Sequence, residues 1–428
     1  MSAMWGLVLL MVLFLAGLPV AFSLGLSAVF IMACSGGIKW ATISGQMVAG
    51  VNSFTLLAVP LFLLAGNLMN KCGVTDRLFR FARALVGWLP GGLGHVNILA
   101  SFIFAGMSGT AIADASGLGR IEIKAMEDAG YDKDFSCAIT GASSTLGPII
   151  PPSMPLVVYG TISGASVGAL FIAGVLPGVI MAILMMALVF FIALRRQYPR
   201  DKFPTVRSFL VACKQGILPC MTPVIILVGI YTGIYTPTEA AAIAVLYTAL
   251  LGVFVYREVN VRELGEVIKQ TISDSVGLCA LVATSMLFGY SLLRARIPQT
   301  IMKSVMGGIN NEIVFMLIVV AVLLVVGMFM ETVSAIAILV PIIQPLAESL
   351  GVSLVHLGVV IVLTLMIGVL SPPFGVVLFA VNRVGEIPMG RLIKALIPWF
   401  VILLAGVLIM ALVPGTCTLL PKMAGFGV

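Results

Sequence analysis

Charge is what this 428-residue sequence has least of, since Asp, Glu, Lys and Arg together make up 10% of it. From Phe135 to Leu194 there is not one charged side chain. With 61% hydrophobic residues and a mean hydropathy of +1.18, the chain cannot hide its apolar surface inside a water-soluble fold. Its solvent must be lipid. Histidine is nearly missing, with only His95 and His356, and the seven cysteines (34, 72, 137, 213, 220, 279, 417) show no CxxC spacing. Zinc and haem sites therefore have no support, and the cysteines read as small apolar packing residues. HExxH, Walker A and GxGxxG patterns are all missing, which leaves metalloprotease, ATPase and dinucleotide enzyme without a basis. The apolar N-terminus has no basic stretch ahead of it and no small-residue cleavage site, so it reads as a retained first helix. The net charge of +7 sits at segment ends, as membrane topology requires, and is not a nucleic-acid signal.

What is present is a series of apolar stretches along the whole chain. At about 20 residues per crossing they allow roughly ten to twelve passes or half-passes. A period of half the chain is also present. Sliding the sequence by 221 places GMSGTAIAD (106–114) on GMFMETVSA (327–335), Gly130 on Gly351, Gly147 on Gly368, Pro151 and Pro152 on Pro372 and Pro373, Gly164 on Gly385 and Pro177 on Pro398. Over 106–177 against 327–398 there are twelve identities in 72 positions, most of them Gly or Pro. A weaker echo pairs Pro19 with Pro237.

Basic residues say how the copies sit. The stretch 120–134 carries Arg120, Lys124 and Lys133, while its counterpart 341–355 has none. Further on the pattern reverses: 162–173 has none, and 383–394 carries Arg383, Arg391 and Lys394. By the positive-inside rule the matching ends face opposite sides, with 120–134 and 383–394 both cytoplasmic. The segment 195–214, with six Lys or Arg, is then a cytoplasmic linker. The expected fold is an all-α polytopic membrane protein of two inverted-topology repeats with re-entrant hairpins and broken helices, a recurring plan of secondary transporters. The expected divisions are a scaffold and interfacial arm (1–90), transport elements (91–195), the linker (196–214), a second scaffold and arm (215–310) and second transport elements (311–428). Segments 71–83 and 257–270 alternate charge with apolar residues and read as amphipathic helices at the interface.

GASSTLGPIIPPSMP (141–155) lies inside the uncharged run yet holds Pro148, Pro151, Pro152 and Pro155. Each proline lacks an N–H and frees a carbonyl about one turn earlier, so a helix over 135–163 must open near 145–152. Irregular backbone survives at membrane depth only inside protein or along a wet cavity. The freed carbonyls, with the hydroxyls of Ser143, Ser144, Thr145 and Ser153, make an oxygen-rich nest suited to a hard cation, and the lack of Asp or Glu there favours a monovalent one. TLMIGVLSPPFG (364–375) repeats the device with Thr364, Gly368, Ser371, Pro372 and Pro373. Facing these breaks are AGMSGTAIADASG (105–117) and VGMFMETVSAIAI (326–338). Each lies between arms too short for two crossings, which suggests re-entrant hairpins with Ser108, Gly109 and Thr110 at one tip and Met330, Glu331 and Thr332 at the other. Asp114 and Glu331 become intramembrane acids, a functional sign, although Asp114 has the plainer reading of a helix cap.

Two rival classes arise from the residues. GMSG (106–109) matches the GxSG pattern of rhomboid-like intramembrane serine proteases, but His95 and His356 are poorly placed to activate Ser108, and the second copy has Phe329 instead. A channel fits less well, because hairpins closed over oxygen nests suit occlusion.

SGTAIAD (108–114), GPIIPPSMP (147–155), GIYTPTEAAAIA (233–244) and SPPFG (371–375), in this order, resemble the large membrane (M, DctM-like) subunit of tripartite ATP-independent periplasmic (TRAP) transporters. The resemblance runs the length of the chain. It implies an elevator in the bacterial inner membrane, driven by sodium with no other cofactor. It also implies as partners a small four-helix membrane subunit and a periplasmic substrate-binding protein. Typical cargoes are organic acids such as C4-dicarboxylates, sialic acid and other sugar acids, with a stand-alone ion-coupled carboxylate carrier as the runner-up. Carried onto this chain, the sodium residues are Gly106, Ser108, Gly109, Ser143, Ser144, Thr145, Gly147 and Pro148, and again Gly327, Glu331, Thr332, Thr364, Gly368 and Ser371. Substrate would lie between the tips, near Ser108, Thr110, Pro151, Ser153, Met330, Pro372 and Pro373. Val377 stands where many relatives have a polar residue.

Overall fold

The computed structural model describes residues 5–35, 37, 39–297, 300, 311–372 and 375–427, leaving aside the side chains of Leu15, Met107, Ser108, Ala113 and Val261. Among these residues every regular element is helical. Six helices are long and apolar enough to cross a membrane, and a seventh span exists if Trp40–Val51 and 55–71, bent by 55° at their junction, are counted as one. The other apolar helices have 10–17 residues, short of a full crossing. They include one arm of each hairpin, Gly92–Gly106 and Glu312–Gly327, and three halves of the broken helices. The other arm of the second hairpin, Thr332–Ser349, has 18 residues and is one of the six, longer than the half-pass expected of it.

The half-chain shift of 221 is structural as well as sequential. Added to the starts of Ala111–Ala113 and Lys133–Ser144 it gives the starts of Thr332–Ser349 and Leu354–Gly368. The next two helices, Met154–Ser163 and Val167–Arg196, start within one residue of the positions that Val376–Gly385 and Met389–Leu412 imply. The helix predicted over 135–163 does open: Lys133–Ser144 stops, 145–153 is irregular, and Met154–Ser163 resumes. Leu354–Gly368 stops in the same way before Val376–Gly385.

Contacts between the copies establish the inversion. Arg391 donates from Nε to Asp134 at 2.9 Å, and a Cβ on Gly385 would strike Cys137, so 120–137 and 383–394 share one end of the bundle. At the other end, Tyr159 donates to the Leu354 carbonyl at 2.7 Å and Gln344 to the Ser163 carbonyl at 3.0 Å. Corresponding loops of the two copies thus lie at opposite ends.

Away from the hairpins, Val20–Cys34, Trp40–Val51 and Ala58–Lys71 pack along Val261–Arg294, and Pro237–Leu250 packs against Ala58–Lys71. Two capping boxes, Thr236 with Glu239 and Asn260 with Glu263, start Pro237–Leu250 and Val261–Arg294. The second start corrects an expectation. Residues 257–270 do not form a separate interfacial helix; from Val261 they are the first turns of a continuous 34-residue helix. The charge alternation is real, but nothing after the Asn260 cap breaks the helix before the apolar run begins. Val74–Val86, by contrast, is a distinct helix, entered through Gly73 at φ 60°.

Candidate functional site

Each hairpin tip seats on the break of its own repeat, and glycine makes the fit possible. At the first tip Gly92–Ser108 ends on Gly109, whose φ of 62° reverses the chain. A Cβ on Gly109 would lie 2.8 Å from the Pro152 carbonyl oxygen, one on Gly106 3.3 Å from the Pro151 carbonyl, and one on Gly147 3.2 Å from the Thr110 carbonyl. Tip and break therefore meet backbone to backbone. At the second tip a Cβ on Gly368 would lie 2.6 Å from the Gly327 Cα, and one on Gly327 3.2 Å from the Leu365 carbonyl.

The hydroxyls at the breaks mostly donate to nearby carbonyls. Ser144 donates to Gly141 at 2.9 Å, Thr145 to Ala142 at 2.6 Å, Thr364 to Val360 at 2.7 Å and Ser371 to Ile367 at 2.8 Å. Each oxygen still has lone pairs to offer a cation. Ser153 donates to the Pro148 carbonyl and accepts from the Leu156 N–H, capping Met154–Ser163. Ser143 differs: it donates to Asn97 Oδ1 at 2.7 Å, away from the tip. Glu331 spends Oε2 on the Val333 and Ser334 N–H groups at 2.9 and 3.2 Å, so it caps Thr332–Ser349. Asp114 is no cap; it lies within a π-helical turn, Asp114–Leu118, with no side-chain bond to a helix start.

The tips share a cavity of about 660 Å³. Of the predicted residues it brings together Gly109, Thr110, Pro148, Glu331 and Thr332, with Val377 also on its wall. Buried Thr145, Ser153 and Ser371 and half-buried Met330 and Pro372 do not line it. Pro373 and the Ser108 side chain lie outside the described residues. Met154, Thr332 and Val376, the first residues of three helices, all reach this cavity. Ser153 and Glu331 already cap the first two, which leaves the start of Val376–Gly385, without a side-chain cap, to offer N–H groups and a positive dipole end to an anion. Among the described residues no Lys or Arg lines the wall.

The opposite wall comes from residues that the sequence reading missed: Asn67, Gln270 and Asp274. Asn67 donates to Thr271 at 3.1 Å, tying Ala58–Lys71 to Val261–Arg294, and Gln270 donates to Asp274 at 2.9 Å within the latter helix. An Asn inside an apolar helix was the available signal for Asn67, whereas Gln270 ends the stretch read as interfacial and Asp274 lies just beyond it.

The protease arrangement is not built. His95 sits in the first turn of the helix that ends at Ser108, and 13 residues at 1.5 Å rise separate them by roughly 20 Å. His356 is buried, with Nε2 against the Met410 carbonyl at 2.8 Å.

A family model described as the DctM component of the tripartite ATP-independent periplasmic transporter matches residues 7–416. The chain is 42% identical over 418 residues to the sialic acid TRAP transporter large permease protein SiaM of Vibrio cholerae, covering 97% of each. It is 38% identical over 372 residues to the C4-dicarboxylate TRAP transporter large permease protein DctM of Pseudomonas aeruginosa, covering 87% of each. Among solved structures, the Alcanivorax borkumensis YdaH transporter shares the fold at a TM-score of 0.61 and 15% identity, with 88% of each chain covered.

Proposed function

The chain belongs to the DctM-component family of tripartite ATP-independent periplasmic transporters, and from that premise we propose that it carries out sodium-coupled uptake of an organic acid by an elevator mechanism. It is a multi-pass permease subunit and not an enzyme. The observation that carries the proposal is the pair of glycine-seated tips, inverted with respect to each other, meeting at one cavity. Two tip-and-break pairs supply two oxygen-rich places for sodium, between 106–110 and 143–151 and between 327–332 and 364–371. The uncapped N-terminus of Val376–Gly385 between them suits a carboxylate. Sodium entering down a potential of 100 mV releases about 2.3 kcal/mol per charge, so two ions support substantial accumulation.

In this mechanism the hairpins and broken helices (91–195 and 311–428) move as a carrier past the scaffold of 1–90 and 215–310, in the bacterial inner membrane. The Asn67, Gln270 and Asp274 wall is the fixed side of the cavity. A periplasmic binding protein delivers the cargo, and a small four-helix membrane subunit braces the scaffold. The cargo class is a C4-dicarboxylate, sialic acid or a related sugar acid, the first two being named for the relatives above.

Reconstituted vesicles containing the complex test this. Uptake of a radiolabelled acid should need an inward sodium gradient and the loaded binding protein, and should fall sharply in T332A and S371A. Uptake that continues without sodium removes the coupling, and uptake without any binding protein points to a stand-alone carrier.

A further inference from the structure

The first repeat buries a polar cluster away from the cavity, where the second repeat has none. Asn97 donates through Nδ2 to Glu122 Oε2 at 2.8 Å and to Thr140 Oγ1 at 2.7 Å. Its Oδ1 accepts from Ser143, and Ser101 donates to Ser143 at 3.1 Å. Asp114 and Glu122 are buried, at 1% and 0% exposure. Both Asp114 oxygens and Glu122 Oε1 have no hydrogen-bond partner among the described residues. Asp114 faces the Ser101 hydroxyl, and the charged group that acts on Glu122 is Asp114; among the described residues no Lys or Arg acts on either.

The π-helical turn Asp114–Leu118 matters here. A π turn accommodates about one extra residue, which brings Asp114 and Glu122, on consecutive parts of one hairpin arm, toward the same face. That face meets the two other helices of the cluster, Gly92–Ser108 and Lys133–Ser144.

Two carboxylates inside a membrane-embedded bundle cannot both stand ionised and uncompensated, because the desolvation cost is several kcal/mol per ion or more. We infer that this cluster is a cation site, separate from the two tip sites, in which Asp114 and Glu122, with one proton shared between them, hold one sodium ion with hydroxyl support from Ser101 and Thr140. The unpartnered oxygens are hard donors, which match sodium better than a soft metal. Among the described residues no three His, Cys, Asp or Glu side chains cluster, which disfavours a transition metal. Asn97 is a positioning residue: its amide holds Glu122 and Thr140 in place without needing to touch the ion. The ion would fasten the two arms of the first hairpin to each other and to Lys133–Ser144.

The inference is independent of the tip sites, and the test keeps them apart. Radioactive sodium-22 binding is measured at neutral pH on the full chain in lipid nanodiscs, for wild type, D114N/E122Q and T332A. The inference expects D114N/E122Q to bind one ion per chain fewer than wild type, and T332A to keep the cluster's ion. If the tips hold no sodium, wild type still binds one ion and D114N/E122Q loses it. Unchanged sodium binding in D114N/E122Q overturns the inference and assigns the cluster to protons. Should the double variant not fold, D114N and E122Q alone carry the same two outcomes, each expected to weaken sodium binding at this site by at least about tenfold.

Discussion

The two repeats build the same tip-on-break joint with different interiors. In the second, glycine faces glycine, and a Cβ on Gly368 would lie 2.6 Å from the Gly327 Cα. In the first, the closest approaches of Gly106 and Gly147 to the opposing backbone are looser, with a Cβ on either 3.2–3.3 Å from a carbonyl oxygen. Behind the joint, the first repeat has Asn97, Ser101, Asp114, Glu122, Thr140 and Ser143; the shift of 221 puts Ile318, Val322, Ala335, Ile343, Ile361 and Thr364 in their places. A joint of this shape therefore needs close backbone approach in both copies but a polar interior in only one. The joint is common architecture, and the cluster is an addition to it.

The largest expected effect comes from adding one methyl to each joint. At Gly368 the added Cβ has only backbone to displace, so G368A should cost about 1–3 kcal/mol or more in closing the second tip. At 1.4 kcal/mol per factor of ten, uptake should drop roughly tenfold to a hundredfold. At Gly147 the neighbours need give only a few tenths of an ångström, so G147A should lose clearly less. Uptake rates of the two variants in vesicles check this, and equal losses would break the distinction between the joints.

Next comes the interior. Asn97→Ala takes the donor from Glu122 Oε2 and the acceptor from Ser143 inside a buried site, at a cost of about 1–3 kcal/mol. In the second repeat the place of Thr140 is taken by buried Ile361, and Ile361→Val removes only a methyl, about 0.5–1.5 kcal/mol. Denaturant unfolding in mild detergent should rank N97A below I361V in stability. The reverse order would mean that the polar cluster contributes nothing that an apolar core does not.

How much of this the sequence disclosed follows the same division. The joints were legible because helix-breakers act locally: Pro148, Pro151 and Pro152 stop a helix wherever they fall, and their repetition at 372–373 gave the register. The inversion was legible in Arg120, Lys124 and Lys133 against Arg383, Arg391 and Lys394, because membrane topology is written in basic residues. The polar cluster was not, because its members come from three separate helices and meet only in the fold. Asn97 and Ser101 are four residues apart and Thr140 and Ser143 three, so each pair marks one polar face of an otherwise apolar helix. That spacing was the available clue. The long helix Val261–Arg294 was missed for another reason: charge alternation marks an amphipathic turn but says nothing about where the helix ends.

The smallest effect concerns how each copy starts the first half of its broken helix. In the second, the Ser353 hydroxyl accepts from the His356 N–H at 3.5 Å and caps Leu354–Gly368. In the first, Asp132 stands at the same place but turns outward, accepting from the Tyr198 hydroxyl at 2.6 Å and from Arg196 at 2.7 Å, both at the start of the linker. The Tyr198 hydroxyl first, and then the Arg196 guanidinium, hold the Asp132 carboxyl below the usual carboxylate range. A carboxyl depressed in the folded state contributes stability that is present above its unfolded value and lost as pH falls through the folded one. The clasp should therefore hold the linker at neutral pH and release it only in acid below the ordinary range near 4. For so exposed a group the contribution is under about 1 kcal/mol. Tyr198→Phe should raise the pH of release toward that ordinary value and speed protease cleavage between 197 and 205, while Ser353→Ala should leave the pH dependence of linker cleavage unmoved. If both variants shift that dependence alike, the acid response belongs to the whole fold, and the outward turn of Asp132 does not set the first copy apart.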